Sequence, residues 1–327
     1  MFAPLPSAAP VAARCDPAFL TAVARGLTAS PQKTLPASWL YDAVGSALFE
    51  VITLLPEYGL TRADGALLQS AAADIIRAAH RPELVVELGS GSGVKTRPIL
   101  GAATDTSRQV QYHPIDISLA ALNSCEASLQ DIENLRIQPV EATYLEGIDI
   151  ALAGRRPGER ALILFLGSTI GNFDRPEAAK FLRRVHQRVT PGDSLLLGTD
   201  LVKPRATLLA AYDDSIGVTA AFNLNILARI NRELGGGFDL KQFAHEARHN
   251  ESQSRVEMHL RSLTAQHIPI DALHLTIPFK AGETIWTESS HKFRPQEIGR
   301  MGEQAGWSFA HQWIDREWGF AETLFTA

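Results

Sequence analysis

Residues Glu83–Arg97, ELVVELGSGSGVKTR, constrain the fold of this chain more than any other stretch. Leu84, Val85, Val86 and Leu88 form a short apolar run with the length and composition of a fully buried parallel strand. The run ends in Gly89-Ser-Gly91-Ser-Gly93, after which a helical pattern begins. Glycine is needed where backbone passes close to a ligand, because a Cβ there would collide with it. Strand, glycine turn and helix N-terminus together make the nucleotide pocket of an open α/β sheet.

The glycine spacing then separates cofactors. A dinucleotide fold wants G-x-G-x-x-G, and counted from Gly89 the third glycine position is Val94. The chain instead reads acid-apolar-Gly-x-Gly-x-Gly, which resembles the first motif of the class I S-adenosylmethionine (SAM)-dependent methyltransferases. The next apolar run, Val110–Ile115, ends in Asp116, and an acid at the end of the second strand is where a ribose diol is held.

A chain of 327 residues, 45% hydrophobic, can bury one large core or two moderate ones. Its net charge of −5 and the lack of a Lys/Arg-rich block do not suggest a nucleic-acid surface. Cys15 and Cys125 are far apart and form no C-x-x-C, which argues against a disulfide framework or thiolate metal site. They read as reduced thiols of a cytoplasmic protein. The start, MFAPLPSAAPVAARC, has no basic opening and no continuous apolar core, so it does not read as a signal peptide. No apolar run approaches the ~18 residues of a membrane span. Residues 1–13 are expected to be disordered.

Along the chain, Pro17–Leu27 reads as a helix. In Lys33–Asp64 a second helix places Leu48, Phe49, Ile52 and Leu55 on one face and stops at Pro56. Ala63–Ala79 is amphipathic. Strands at Leu84–Leu88, Val110–Ile115, Leu135–Val140, Ala161–Leu166 and Ser194–Thr199 then alternate with helices near Lys95–Ala103, Leu119–Gln130 and Arg175–Val189. That alternation predicts a parallel sheet with helices on both faces. Past Asp200 it stops. Lys203–Leu234 reads as helical, Gly235-Gly-Gly237 breaks it, and Val256–Leu263 and His274–Pro278 read as strands of a different sheet. Trp307–Ile314 and Trp318–Phe325 predict a terminal antiparallel hairpin.

A more specific likeness rests on several motifs in order. They are Tyr41-Asp-x-x-Gly45-Ser-x-Leu-Phe49, Leu55-Pro-Glu-Tyr58, Thr61-Arg62, the glycine loop, Gly167-Ser-x-x-Gly-Asn172, Ala211-Tyr212-x-Asp214, Phe222-Asn-x-Asn225 and Thr287-Glu288-x-Ser290-x-Lys-Phe293. From Lys33 onward the chain resembles the histidine-specific Nα-methyltransferases of ergothioneine biosynthesis, which trimethylate free L-histidine to hercynine. The resemblance implies a class I, Rossmann-like α/β sheet with a terminal antiparallel hairpin (residues 64–201 and 292–327). It also implies an α+β substrate-binding domain made of residues 14–63 and 202–291.

By the same resemblance, Gly89, Gly91, Lys95, Asp116, Thr143 and Tyr144 contact SAM. Gly167, Asn172 and Tyr212 meet the amino and carboxylate end of the substrate, Tyr58, Glu288 and Ser290 the imidazole, and Tyr41 the growing ammonium. Tyr41, Asn172 and Tyr212 are thus the catalytic candidates. The family often carries a second aromatic after Tyr58, where this chain has Gly59; the acidic-aromatic pair near adenine appears here as Thr143-Tyr144. Small-molecule substrates, namely histidine and its mono- and dimethyl forms, are the implied partners, with no nucleic acid or membrane, and a monomer fits. Another free amino acid or biogenic amine is the neighbouring substrate reading.

A rival motif is His245-Glu246-Ala247-Arg248-His249, which fits the H-E-x-x-H of zinc protease helices. Lys241-Gln242 before it, Asn250 directly after it and the lack of a continuing G-x-x-H disfavour a metal reading, and no metal is expected.

Overall fold

The computed structural model describes residues 16–105 and 108–327. The expected disorder of residues 1–13, and Cys15, lie outside them. Helix α1 (Pro17–Leu27) begins where Asp16 accepts the N–H of Ala18 and Pro17 takes the first turn. Strand β1 (Lys33–Thr34) and helix α2 (Ala43–Thr53) follow, the helix capped by Asp42. Helix α3 (Leu60–Ala78) leads to β2 (Leu84–Leu88), α4 (Arg97–Thr104), β3 (Val110–Asp116) and α5 (Leu119–Leu129). Next come β4 (Leu135–Ile137), β5 (Val140–Glu141), α6 (Tyr144–Ala153), β6 (Ala161–Phe165), α7 (Arg175–His186) and β7 (Ser194–Asp200). The chain continues through α8 (Arg205–Tyr212), α9 (Val218–Leu234), β8 (Phe243–Asn250), β9 (Arg255–Ser262), β10 (Gln266–Ile270), β11 (Leu275–Phe279) and β12 (Thr284–His291). Helix α10 (Pro295–Gln304) and strands β13 (Ser308–Asp315) and β14 (Phe320–Thr326) close it.

Two compact units share these elements: Gly59–Pro204 with Ser290–Ala327, and Met1–Tyr58 with Arg205–Ser289. The larger unit carries one sheet in the order β13-β14-β7-β6-β2-β3-β4, with β5 also paired to β3. Strands β7 to β4 are parallel, whereas β14 runs antiparallel to β7 and β13 antiparallel to β14. This is the class I methyltransferase sheet. Strand β2, inside the sheet between β6 and β3, is buried throughout: Leu84, Val86 and Leu88 pack on one face and Val85 on the other. Each such side chain contributes about 1.5–3 kcal/mol relative to exposure, which is why a continuous apolar run is stable only as a central strand.

The smaller unit holds a sheet in the order β1-β12-β9-β8, the β10-β11 hairpin and the helices α8 and α9. The last two residues of β12 fall in the larger unit.

Three local readings are corrected. The expected strand Leu135–Val140 is two short strands, because Pro139 between them has no N–H to give a ladder. The helical stretch Lys203–Leu234 is two helices. Between them Asp214 turns the chain, its carboxylate accepting the N–H groups of Val218 (2.9 Å) and Thr219 (2.7 Å) at the start of α9. Finally, Trp318 lies in the hairpin turn and not in the strand, its N–H given to Asp315 Oδ2 at 2.7 Å.

The loop after β2 also sets a stability expectation. Gly93 has φ +70°, and a Cβ there would stand 2.5 Å from Cys125 Sγ and 2.9 Å from Leu129 Cδ1. Left-handed backbone and overpacking each cost an ordinary residue on the order of 1 kcal/mol or more. Gly93→Ala is therefore expected to lower unfolding stability by about 2 kcal/mol or more, read as a reduced urea midpoint at unchanged slope.

Candidate active site

In the larger unit the glycine turn is shaped by its backbone. Gly89, Gly91 and Gly93 all have positive φ (+75°, +53° and +70°), and over Gly91 no atom lies within 4 Å of where a Cβ would be. The turn thus exposes backbone that a ligand can approach closely. Asp116, at the end of β3, accepts the N–H of Gly91 at 3.2 Å through Oδ2 and that of Ser118 at 2.9 Å through Oδ1. Tyr144, first residue of α6, places its hydroxyl 3.4 Å from the Cβ position of Gly89. Its ring packs against Phe165 and Phe181. Burial, aided by the nearby Asp116 charge, pushes the Tyr144 phenol up to about 12, so it stays a hydrogen-bond donor. Gly89, Gly91, Asp116 and Tyr144 are brought together, with Thr143 exposed beside them.

Lys95 and Gly167 meet through a residue that sequence reading missed. Asp64 on α3, wholly buried, accepts Lys95 Nζ at 2.6 Å and the Gly167 N–H at 2.9 Å on the same oxygen. Removing Lys95 from water works against its charge, but the Asp64 carboxylate outweighs this and holds the amine firmly protonated. Gly167 (φ +69°) and Ser168 (φ +57°) then turn the chain after β6, and Asn172 stands exposed at the end of the following 3-10 turn, Thr169–Asn172.

Ser290, counted with this unit, is buried, and its Oγ accepts Lys292 Nζ at 2.8 Å. Lys292 is also paired with Asp200 Oδ2 at 2.8 Å, and Trp318 Nε1 donates to Asp200 Oδ1 at 3.1 Å. A Cβ on Gly59 would fall 2.2 Å from the Trp318 ring. The absent side chain at Gly59 therefore has a packing cause.

In the smaller unit the three candidate tyrosines belong to one aromatic cluster. Tyr41 lies edge-on to Phe49 (5.5 Å) and Phe222 (5.4 Å), Phe49 edge-on to Tyr58 (6.2 Å), and Tyr58 edge-on to Tyr212 (6.2 Å). Such pairs are worth about 0.5–1.5 kcal/mol beyond area burial, and they fix ring orientation. Glu288 sits on β12, where its carbonyl accepts Trp286 Nε1 at 2.9 Å. Its neighbour Thr287 donates to Asn223 Oδ1 at 2.6 Å, which ties the Glu288 strand to the residue after Phe222.

The zinc reading is overturned. His245-Glu246-x-x-His249 lies on strand β8, not on a helix. Residues four apart on a strand are separated by about 13 Å, whereas two zinc ligands must each reach about 2 Å from one ion. Glu246, the supposed base, is ion-paired with Arg248 and Arg261. Among the described residues no cluster of His, Cys, Asp and Glu could hold a metal. His245 instead braces the aromatic cluster: Nε2 donates to the Tyr212 carbonyl at 2.8 Å, and Nδ1 accepts from Asn223 at 2.9 Å.

Phe49, Asn223 and Phe222 were visible in the quoted motifs, without roles assigned; Asp64 follows Thr61-Arg62 by two residues. The arrangement can do two things chemically. The glycine turn with Asp116 suits a nucleoside bearing a short charged tail, and the tyrosine cluster suits a small cation.

Comparison with known proteins agrees. The family described as "Histidine-specific methyltransferase, SAM-dependent" matches residues 19–327. The chain is 45% identical over 304 residues to the Histidine N-alpha-methyltransferase of Mycolicibacterium smegmatis, covering 92% of each. It is 43% identical over 301 residues to the protein of the same name from Mycobacterium tuberculosis, covering 91% of this chain and 92% of that one. A more distant relative is the L-tryptophan methyltransferase trpM of Psilocybe serbica, 25% identical over 325 residues, covering 92% and 90%. On its sheet, its glycine turn and this match along almost its whole length, the chain belongs to the SAM-dependent, histidine-specific methyltransferases.

Proposed function

We propose that the protein methylates the α-amino group of free L-histidine three times, forming hercynine as a step of ergothioneine biosynthesis, in the cytoplasm. The observation that carries this reading is 45% identity over nine-tenths of both chains to a Histidine N-alpha-methyltransferase. Among the described residues no helix is long and apolar enough to cross a membrane.

SAM, when bound, supplies a methyl group on a positively charged sulfur. The residues of the larger unit fit it: open backbone at Gly91, the Asp116 carboxylate for the ribose hydroxyls, Lys95 for the carboxylate end, and Thr143 and Tyr144 beside the turn. Asn172 and Tyr212 hold the amino-acid end of histidine, Gly167 supplying backbone beside Asn172. Tyr58, Glu288 and Ser290 hold the imidazole. Transfer needs a neutral amine lying in line with the methyl, so positioning supplies most of the catalysis. A free α-amine titrates at or somewhat above ~8, so the neutral form is a minority near neutral pH, yet it can be drawn from that equilibrium without a strong base. Each transfer moves positive charge onto nitrogen, the first two products releasing a proton to solvent before the next transfer, and the Tyr41 face stabilises that charge by about 0.5–2 kcal/mol. Three successive methylations need room at the amine, which favours asparagine and tyrosine there over bulky charged groups.

The imidazole contacts set the substrate. Glu288 accepts one N–H and Ser290 bonds the other nitrogen, so an amino acid without an imidazole forgoes both hydrogen bonds. Another amino acid as substrate was suggested by Gly59, but that position makes room for Trp318. Titration calorimetry with the demethylated cofactor present tests the proposal. Histidine and its dimethyl form are both expected to bind, and absence of binding by both overturns it.

A further inference from the structure

The interior of the larger unit carries more acid than the pairing of Lys95 requires. Three carboxyl groups, Asp64, Glu87 and Glu322, surround one ammonium, that of Lys95. Glu87 at the end of β2 accepts the hydroxyls of Tyr112 and Thr96, the latter at 2.7 and 2.8 Å. Glu322 on β14 is fully buried, and neither of its oxygens meets a donor. Its Oε1 lies against Gly198, 2.9 Å from where a Cβ would stand, in a space that only glycine leaves. Its hydrogen-bonding neighbour is Asp64, whose Oδ1 is likewise buried without a donor while Oδ2 takes Lys95 and Gly167. Two carboxyl groups in hydrogen-bonding reach are two acceptors facing each other unless one of them carries a hydrogen.

We propose that Glu322 is a neutral acid that donates its hydrogen to Asp64 Oδ1, and that this shared proton makes Glu322 the positioning residue for Lys95 at the carboxylate end of the cofactor. The arrangement follows from charge. With Asp64 ionised and Lys95 protonated the pair is balanced, and a second buried carboxylate would have no countercharge. Charged or titratable groups facing Glu322 are Asp64 from α3, Lys95 from the turn before α4 and Glu87 from β2. Burial, with Asp64 beside it, drives the Glu322 carboxyl far above the ordinary range, and burial likewise brings Glu87 up to about 7. With its second oxygen satisfied by Glu322, Asp64 holds one orientation, which aligns Lys95 and the Gly167 N–H together.

The assignment of Lys95 to the cofactor rests on the function proposed above; the shared proton does not, so the test has two arms. Infrared spectra of wild type and E322Q near pH 9, above the Glu87 titration, read the carbonyl stretch of a protonated carboxylic acid. Wild type is expected to show it and E322Q to lack it. Calorimetry with the demethylated cofactor reads the positioning. E322Q, whose amide N–H replaces the acid O–H, is expected to bind within about threefold of wild type, and E322L, which has no donor, at least about tenfold more weakly. Circular dichroism confirms that E322L folds. A wild-type spectrum without the band, or E322L binding as wild type does, or E322Q weakened as much as E322L, would overturn the proposal. Wild type that fails to bind the demethylated cofactor overturns the cofactor reading instead, and the infrared band still decides the proton.

Discussion

Asp116→Ala is expected to weaken binding of SAM and of its demethylated product by about 10²–10³-fold with the fold retained. The carboxylate stands at the end of β3, where its two oxygens take the N–H groups of Gly91 and Ser118 and retain lone pairs for a ribose diol. A hydrogen bond to a charged group contributes about 1.5–3 kcal/mol, and the ribose contact proposed for Asp116 consists of two such bonds. It also releases the Gly91 amide that keeps the turn open. Asp116 is only partly buried, so the alanine leaves no large cavity. Calorimetry at a pH where wild type is saturated gives the affinity, and urea unfolding gives the stability. A loss below about threefold would mean that the carboxylate only closes its own loop.

Glu288→Ala should act on the other reactant. Its carboxylate is the one charged acceptor assigned to the imidazole, and the loss is expected to raise KM for histidine about 100-fold while the demethylated cofactor binds within about threefold of wild type. The variant should also narrow the preference for histidine over amino acids that lack an imidazole N–H, because the hydrogen bond that only the imidazole can give to this carboxylate is lost with it. Glu288→Gln, which retains an acceptor oxygen, should fall between the two. Equal losses of histidine and cofactor binding would mark Glu288 as a structural residue of β12.

These two residues also show how unevenly the sequence displays its structure. Asp116 was readable because an apolar strand, a glycine turn and an acid at the next strand end are local signals with a fixed spacing. The terminal hairpin was readable for the same reason, as two apolar runs around Asp315-Arg316-Glu317. Where local patterns failed, tertiary partners decided. The spacing of His245 and His249 fits a helix face and a strand face alike, and pairing with β9 together with the bond to the Tyr212 carbonyl made it a strand. Pro139 was visible, but not that it would break a strand in two. The Asp64–Glu322 contact was hidden entirely, since its members come from α3 and the last strand and neither carries a motif. Likewise Gly59 reads as a gap in an aromatic motif until Trp318 is placed over it.

The site proposed here stands or falls on the methylated amine being that of histidine, selected by its imidazole. A mass-spectrometric screen of the free amino acids, each incubated with SAM and the purified protein, tests it most directly. Histidine should progress through one and two to three added methyl groups, with the others unchanged. Methylation of a different amino acid while histidine stays unmodified would contradict it.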